Sequence, residues 1–100
     1  MAETITKVKE TTDTIILEPG KYKVVVFNDN KTTMEFVMAV LTSIFHHSET
    51  AAFDITMKIH NDGKGTAGIY THEVAEQKAV EATNLARTNE FPLVIKVEAE

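Results

Sequence analysis

The chain has 100 residues, 43% of them hydrophobic, and a formal net charge of −5. This length suits one compact domain and leaves no room for a separate catalytic domain. The chain contains no cysteine, which excludes disulfide frameworks, thiolate-ligated zinc and thiolate catalysis. Its ten Lys and Arg residues are scattered, so nucleic acid is not expected as a partner.

The first twenty residues differ in composition from the rest of the chain. They are polar and rich in Thr, and they end in Glu18-Pro19-Gly20, which predicts a turn. We expect residues 1–20 to form a flexible arm and residues 21–100 to form the folded core. The arm has no apolar segment of a signal peptide, and no stretch of the chain reaches the roughly 18–20 apolar residues that a membrane span needs. A cytoplasmic protein without a membrane partner is therefore expected.

The first predicted elements are a strand, a polar turn and a helix. Residues 22–27 are rich in β-branched and aromatic side chains, which predicts a buried strand, and residues 28–31 are polar. Thr32 followed by Glu35 matches a capping box, so a helix is predicted to begin there and to end near His46-His47. Its apolar residues recur every three or four positions and should face the core: Met34, Val37, Met38, Leu41, Ile44 and Phe45.

A second helix, a strand, a third helix and a last strand complete the domain. Ser48 is a suitable N-cap for the second helix, and Gly63 is a suitable C-terminal stop. Residues 65–70 predict a strand that its glycines weaken and that a bulge could interrupt. A helix over residues 71–88 and a strand over residues 93–97 follow. The order is β-α-α-β-α-β, an α+β fold in which a three-stranded antiparallel sheet packs against three helices, with the first and third strands adjacent.

The turn and the helix after it carry a specific motif. Residues 22–37 read as a strand, then Asn28-Asp29-Asn30, then Thr-x-Met-Glu-Phe-Val beginning at Thr32. Further matching segments are Ile59-His60, Gly63-Lys64, the run from Gly68 to Lys78, and the run from Ala86 to Leu93. Over residues 21 to about 98 the chain resembles the ClpS family, the N-degron adaptors of Clp proteases.

The resemblance implies a surface pocket for the first residue of another protein. The expected ligands are N-degron proteins or peptides that begin with Leu, Phe, Tyr or Trp. An ammonium group has three donors and a full charge, so a site that buries it needs several convergent acceptors. The family pattern assigns this role to Asn28, Asp29, Asn30 and His60. It assigns the walls of the side-chain pocket to Thr32, Met34, Val37, Thr56, Ile59 and Leu93.

Two of these residues depart from the family pattern. Asn30 stands where the family usually has a second acidic residue, which removes one negative charge beside the expected ammonium. Thr56 stands where a Met commonly closes the pocket, so a wider or more polar cavity is expected. The first change is expected to lower the affinity for the ligand, and the second to alter the preference among large side chains.

The resemblance also implies a protein partner and excludes catalysis. Glu73 and Lys78 match family positions that dock on the N-terminal domain of a ClpA- or ClpC-type unfoldase. We expect a monomer that is not an enzyme and uses no metal or cofactor, since the sequence offers no nucleophile–base pair and no ligand cluster.

Other interpretations of the same residues stay open. Asn28-Asp29-Asn30 could be a plain Asx turn, His60 a simple helix-end residue, and Glu73 and Lys78 a solvated helix face. A different function is also conceivable, because the C-terminal domain of ribosomal protein L7/L12 has a similar small α+β architecture and recruits translation factors.

Overall fold

The computed structural model describes residues 20–100, which form an α+β domain. The elements follow the predicted order of strand, helix, helix, strand, helix and strand. Their bounds are β1 Lys21–Phe27, α1 Met34–Ser43, α2 Glu49–Asp62, β2 Lys64–Thr71, α3 His72–Thr88 and β3 Val94–Ala99. The predicted fold class is thereby confirmed. The flexible arm predicted for residues 1–20 lies outside the described residues except for Gly20.

β1 is the central strand of a three-stranded antiparallel sheet in the order β2-β1-β3. Its three successive valines, Val24 to Val26, are all buried, which explains why β1 occupies the centre. The pairing of β1 with β2 shifts between Val24 and Val25, and Ala67 of β2 is the extra residue, so the predicted bulge is present. β3 pairs with the other edge of β1, as predicted.

The start of α1 differs from the prediction by one residue. Thr33, not Thr32, is the N-cap, and its hydroxyl accepts a hydrogen bond from the N–H of Phe36 at 3.1 Å. The helix ends at Ser43, before the predicted stop at His46-His47, and the backbone at His46 takes a left-handed conformation (φ 60°). Adjacent threonines are equally good caps by sequence, so the capping residue is decided by the fold.

α2 has the termini that the sequence predicted. Ser48 accepts a hydrogen bond from the N–H of Ala51, and Gly63 ends the helix with a φ of 89°. Gly65 then lets the helix lie close to β2, because a Cβ at this position would be 2.9 Å from the Cγ1 of Ile59. The two glycines thus fix how the end of α2 meets the sheet.

α3 packs on the sheet through small residues. Its four buried residues are all alanine, which allows the helix to approach the strands closely: Ala75, Ala79, Ala82 and Ala86. Leu85, which lies next to Ala86 in the sequence, is 37% exposed. Within residues 20–100, none of the helices has the length and apolar character needed to cross a membrane.

Candidate functional site

Asp29 organises the turn between β1 and α1. Its Oδ1 accepts hydrogen bonds from the backbone N–H groups of Lys31 and Thr32, at 2.8 and 2.7 Å. Its Oδ2 accepts a hydrogen bond from the Thr32 hydroxyl at 2.7 Å, which directs that side chain toward the turn, while Thr33 caps α1. These are the bonds of an Asx turn. They occupy three of the roughly four acceptor positions of the carboxylate and fix its orientation.

The same contacts keep the Asp29 carboxylate charged. Partial burial alone would raise the pKa of Asp29, but hydrogen bonds from Thr32 and Lys31 and the positive charge of Arg87 outweigh it. The pKa of Asp29 therefore lies below its ordinary value of 3.8. At neutral pH the turn presents a fixed negative charge.

The turn is attached to the C-terminal end of α2. The N–H of Asn28 donates to the carbonyl of Gly63 at 2.9 Å, and His60 lies in the last turn of the same helix. Within residues 20–100, the side chain of His60 makes no hydrogen bond or ion pair. Those of α2 and its cap are made by Ser48, Lys58 and Asp62. The end of a helix carries a partial negative charge that favours a nearby cation.

Three predicted wall residues belong to the hydrophobic core. Val37, Ile59 and Leu93 are 7%, 2% and 1% exposed and pack in one cluster. Thr32 is half-buried, and Met34 is the most exposed predicted wall residue, at 38%. Four surface cavities found along residues 20–100 are lined by other side chains. Three of the predicted walls are thus packed in the core, and Met34 lies at the surface. The side-chain pocket stays a prediction.

Thr56 introduces an unpartnered polar group among these apolar residues. It is 2% exposed, and within the described part of the chain its hydroxyl has no hydrogen-bond partner. Thr56 lies three residues before Ile59, so the two side chains share one face of α2. A buried hydroxyl without a partner costs about 1–3 kcal/mol.

Replacing Thr56 with Val should therefore stabilise the protein. Val has nearly the same shape and removes the unpartnered hydroxyl, so we expect the free energy of unfolding to rise by about 1 kcal/mol. Urea denaturation followed by circular dichroism measures this change. Thr56→Ser is the control, since it keeps the hydroxyl and loses a methyl group, and it should be less stable than the wild type. A Val variant no more stable than the wild type would mean that the hydroxyl has a partner.

Comparison with known proteins identifies the family. A family model described as ATP-dependent Clp protease adaptor protein ClpS matches residues 17–96. The chain belongs to the ClpS family. As a member, it is an adaptor of the ATP-dependent Clp proteases, which decides against the L7/L12-like alternative.

Individual ClpS proteins resemble the chain over most of its length. The ClpS adapter of Myxococcus xanthus is 47% identical over 83 residues, which cover 83% of this chain and 78% of that protein. The ClpS adapter of Desulfotalea psychrophila is 45% identical over 83 residues, covering 83% and 81%. A structure of Agrobacterium tumefaciens ClpS2 bound to L-phenylalaninamide has 37% identity and a TM-score of 0.80, and covers 83% of this chain and all of that chain.

The two residues that the ClpS pattern assigns to unfoldase docking have different surroundings. Glu73 is exposed in the first turn of α3. Lys78 is partly buried, and its Nζ donates to the carbonyl of Ile44 at 2.8 Å and lies 5.5 and 5.9 Å from the ring centroids of Tyr70 and Phe45. Lys78 therefore joins α3 to the end of α1. A five-residue separation also directs the two side chains to different sides of the helix.

Arg87 is a residue whose role the sequence did not reveal. Its Nη1 donates to the carbonyls of Phe91 and Leu93, both at 2.9 Å, and its charge acts on Asp29. The guanidinium thus holds the chain after α3 in place, and its positive charge lowers the pKa of Asp29. A basic residue in the last turn of a helix was the available signal, but such residues usually interact with that helix's own end.

Proposed function

We propose that the chain captures the free N-terminal residue of N-degron substrates, with Leu, Phe, Tyr or Trp in first position, and delivers them to a Clp AAA+ unfoldase. The observation that carries the proposal is the hydrogen bond from Asn28 to Gly63, which joins a negatively charged turn to a helix end beside buried apolar residues. The related ClpS2 was solved with L-phenylalaninamide, which has a free amino group and no carboxylate. That ligand stands in for the first residue of a peptide.

The ammonium group of the substrate would be held from two sides. Asn28, Asn30 and the one remaining acceptor position of Asp29 would come from the turn, and a ring nitrogen of His60 would come from α2. The charge of Asp29 and the partial charge at the end of α2 both favour a cation between them. Because Asn30 adds no charge, the fixed carboxylate of Asp29 becomes the main ionic partner.

The side chain of the captured residue would enter beside Met34. Met34 is exposed and has three rotatable bonds, so it can move at low cost, whereas Val37, Ile59 and Leu93 are fixed by the core. Burying a Leu or Phe side chain contributes roughly 1.5–3 kcal/mol. This is too little for tight binding by itself, so the ammonium contacts must supply the remainder.

Delivery would use a surface separate from the capture site. Of the two residues assigned to it, Glu73 is the one that tests docking cleanly, because it is exposed and, unlike Lys78, has no side-chain hydrogen bond or ion pair among residues 20–100. Lys78 has a structural role through Ile44, and its loss would combine a folding defect with a docking defect.

One fluorescence experiment tests capture and delivery together. A labelled peptide that begins with Phe should gain anisotropy when the chain is added, and gain more when the N-terminal domain of a ClpA-type unfoldase follows. A peptide that begins with Gly lacks the buried side chain and should bind about 10- to 150-fold more weakly in the first step. Glu73→Ala should weaken only the second step.

The controls separate the two halves of the proposal. Glu76→Ala removes a neighbouring exposed carboxylate of α3 and should leave both steps as in the wild type. Equal binding of the Phe and Gly peptides would contradict capture of the side chain. A second step that Glu73→Ala and Glu76→Ala leave equally strong would contradict the assigned docking surface.

A further inference from the structure

A surface cleft beside the proposed ligand site contains two cations. Its volume is about 370 Å³, and it is lined by Lys31, Arg87, Glu90, Phe91 and Pro92. The two positive and one negative side chains give the cleft a net charge of +1 (2 − 1), in a chain whose net charge is −5. The net charge of the cleft is thus opposite in sign to that of the whole protein.

The cleft adjoins the proposed ligand site in two places. Lys31 is part of the turn, and its backbone N–H donates to Asp29. On the other side, the Nη1 of Arg87 donates to the carbonyl of Leu93, a predicted wall residue. The buried walls close the inward path, and the edge of this cleft is one surface path along which a peptide held by the turn can leave the site.

Both cations have donors available for a ligand. Arg87 uses Nη1 for the carbonyls of Phe91 and Leu93, which fixes the guanidinium. In the described part of the chain, the N–H groups of its Nε and Nη2 make no hydrogen bond and can serve a ligand. Along residues 20–100 the ion pairs are Lys58 with Asp62 and His72 with Glu76, so the ammonium of Lys31 has no carboxylate partner there. The rings of Phe91 and Pro92 offer apolar surface to the methylene stem of an entering side chain.

We propose that this cleft receives an acidic side chain of the substrate, so that the chain prefers N-degrons with Asp or Glu in the second or third position. The proposal rests on the proposed function and extends it from the first residue to those that follow. Each residue of an extended chain adds at most about 3.6 Å, so the second and third residues would lie within about 7 Å of the first, close enough to reach a cleft that begins at Lys31. Lys31 and Arg87 attract the carboxylate, and Glu90 limits the effect.

The test compares free-amine peptides that begin with Phe and differ only in the next two residues. Anisotropy titrations with Phe-Glu, Phe-Ala and Phe-Lys, and with the same changes in third position, give six dissociation constants. At low salt we expect the better Glu peptide to bind about three- to tenfold more tightly than its Lys counterpart. The ratio should fall toward one in 0.5 M salt, because ions screen exposed charges.

Lys31→Glu should abolish or reverse the preference. Lys21→Glu is the matched control, since it makes the same change of charge on an exposed residue at the far end of β1, about 20 Å away along the strand, and should keep the wild-type ratio. A Glu-to-Lys ratio near one in the wild type, or a ratio that Lys31→Glu leaves unchanged, would overturn the cleft assignment alone. Failure of every free-amine peptide to bind would overturn the proposed function as well.

Discussion

A peptide that begins with Phe and has a free α-amino group should bind at least 100-fold more tightly than the same peptide with an acetylated N-terminus. Acetylation removes the positive charge and two of the three ammonium donors, while the Phe side chain is unchanged. The charged carboxylate of Asp29 would then face an amide in a partly buried position. Hydrogen bonds to a charged group contribute about 1.5–3 kcal/mol each, so losing two of them costs at least as much as losing the side chain.

Anisotropy competition against the labelled free-amine peptide measures this difference. Acetylation also adds bulk, so a third peptide with 3-phenylpropionyl in place of Phe serves as the control, because it lacks the amino group and adds no atoms. Its affinity should be as low as that of the acetylated peptide. If the 3-phenylpropionyl peptide binds as tightly as the free amine, the charge is not recognised, and steric exclusion is the better account of any effect of acetylation.

The order of elements was predictable because each boundary has its own local chemistry. Ser48 caps α2 and Gly63 ends it, as expected from residue types that suit these positions. The start of α1 was not predictable in the same way. Thr32 and Thr33 are both acceptable caps, and the choice depends on Asp29, whose carboxylate binds the hydroxyl of Thr32 and leaves Thr33 for the helix.

The candidate site was only partly predictable, because periodicity does not distinguish a pocket wall from a core residue. Val37 and Ile59 have the spacing of a buried helix face, which is expected both for a pocket wall and for a core residue. The attachment of Asn28 to Gly63 joins residues 35 positions apart, and no local pattern reveals such a contact. Lys78 looked like a solvated helix residue for the same reason, since the carbonyl of Ile44 that it binds belongs to a distant turn.

Replacing Asp29 with Ala should weaken both the fold and the binding of the substrate. The variant loses the three hydrogen bonds that Asp29 accepts from Lys31 and Thr32. Because Asp29 is only partly buried, we expect the free energy of unfolding to fall by about 1–2 kcal/mol. Affinity for the Phe peptide should fall about 30-fold or more, since the main ionic partner of the ammonium is gone and the turn is no longer fixed.

Asp29→Asn separates the charge from the turn. Its Oδ1 can still accept from the backbone N–H groups of Lys31 and Thr32, so most of the stability should return, whereas the affinity for the peptide should stay low because the charge is absent. Urea denaturation and anisotropy at pH 7 measure the two effects. Peptide binding by Asp29→Asn that equals the wild type would show that the negative charge is not used.

The pH dependence of stability provides an independent check on the same carboxylate. The pKa of folded Asp29 is lower than its ordinary value of 3.8, so the folded state binds the proton less readily than the unfolded chain does. The stability that the charge contributes is therefore fully present above about pH 4 and is lost as the pH falls through the lower folded pKa. Since Asn does not titrate here, the stability advantage of the wild type over Asp29→Asn should shrink below pH 4. An advantage of constant size from pH 7 to pH 3 would mean that the turn does not depend on the charge of Asp29.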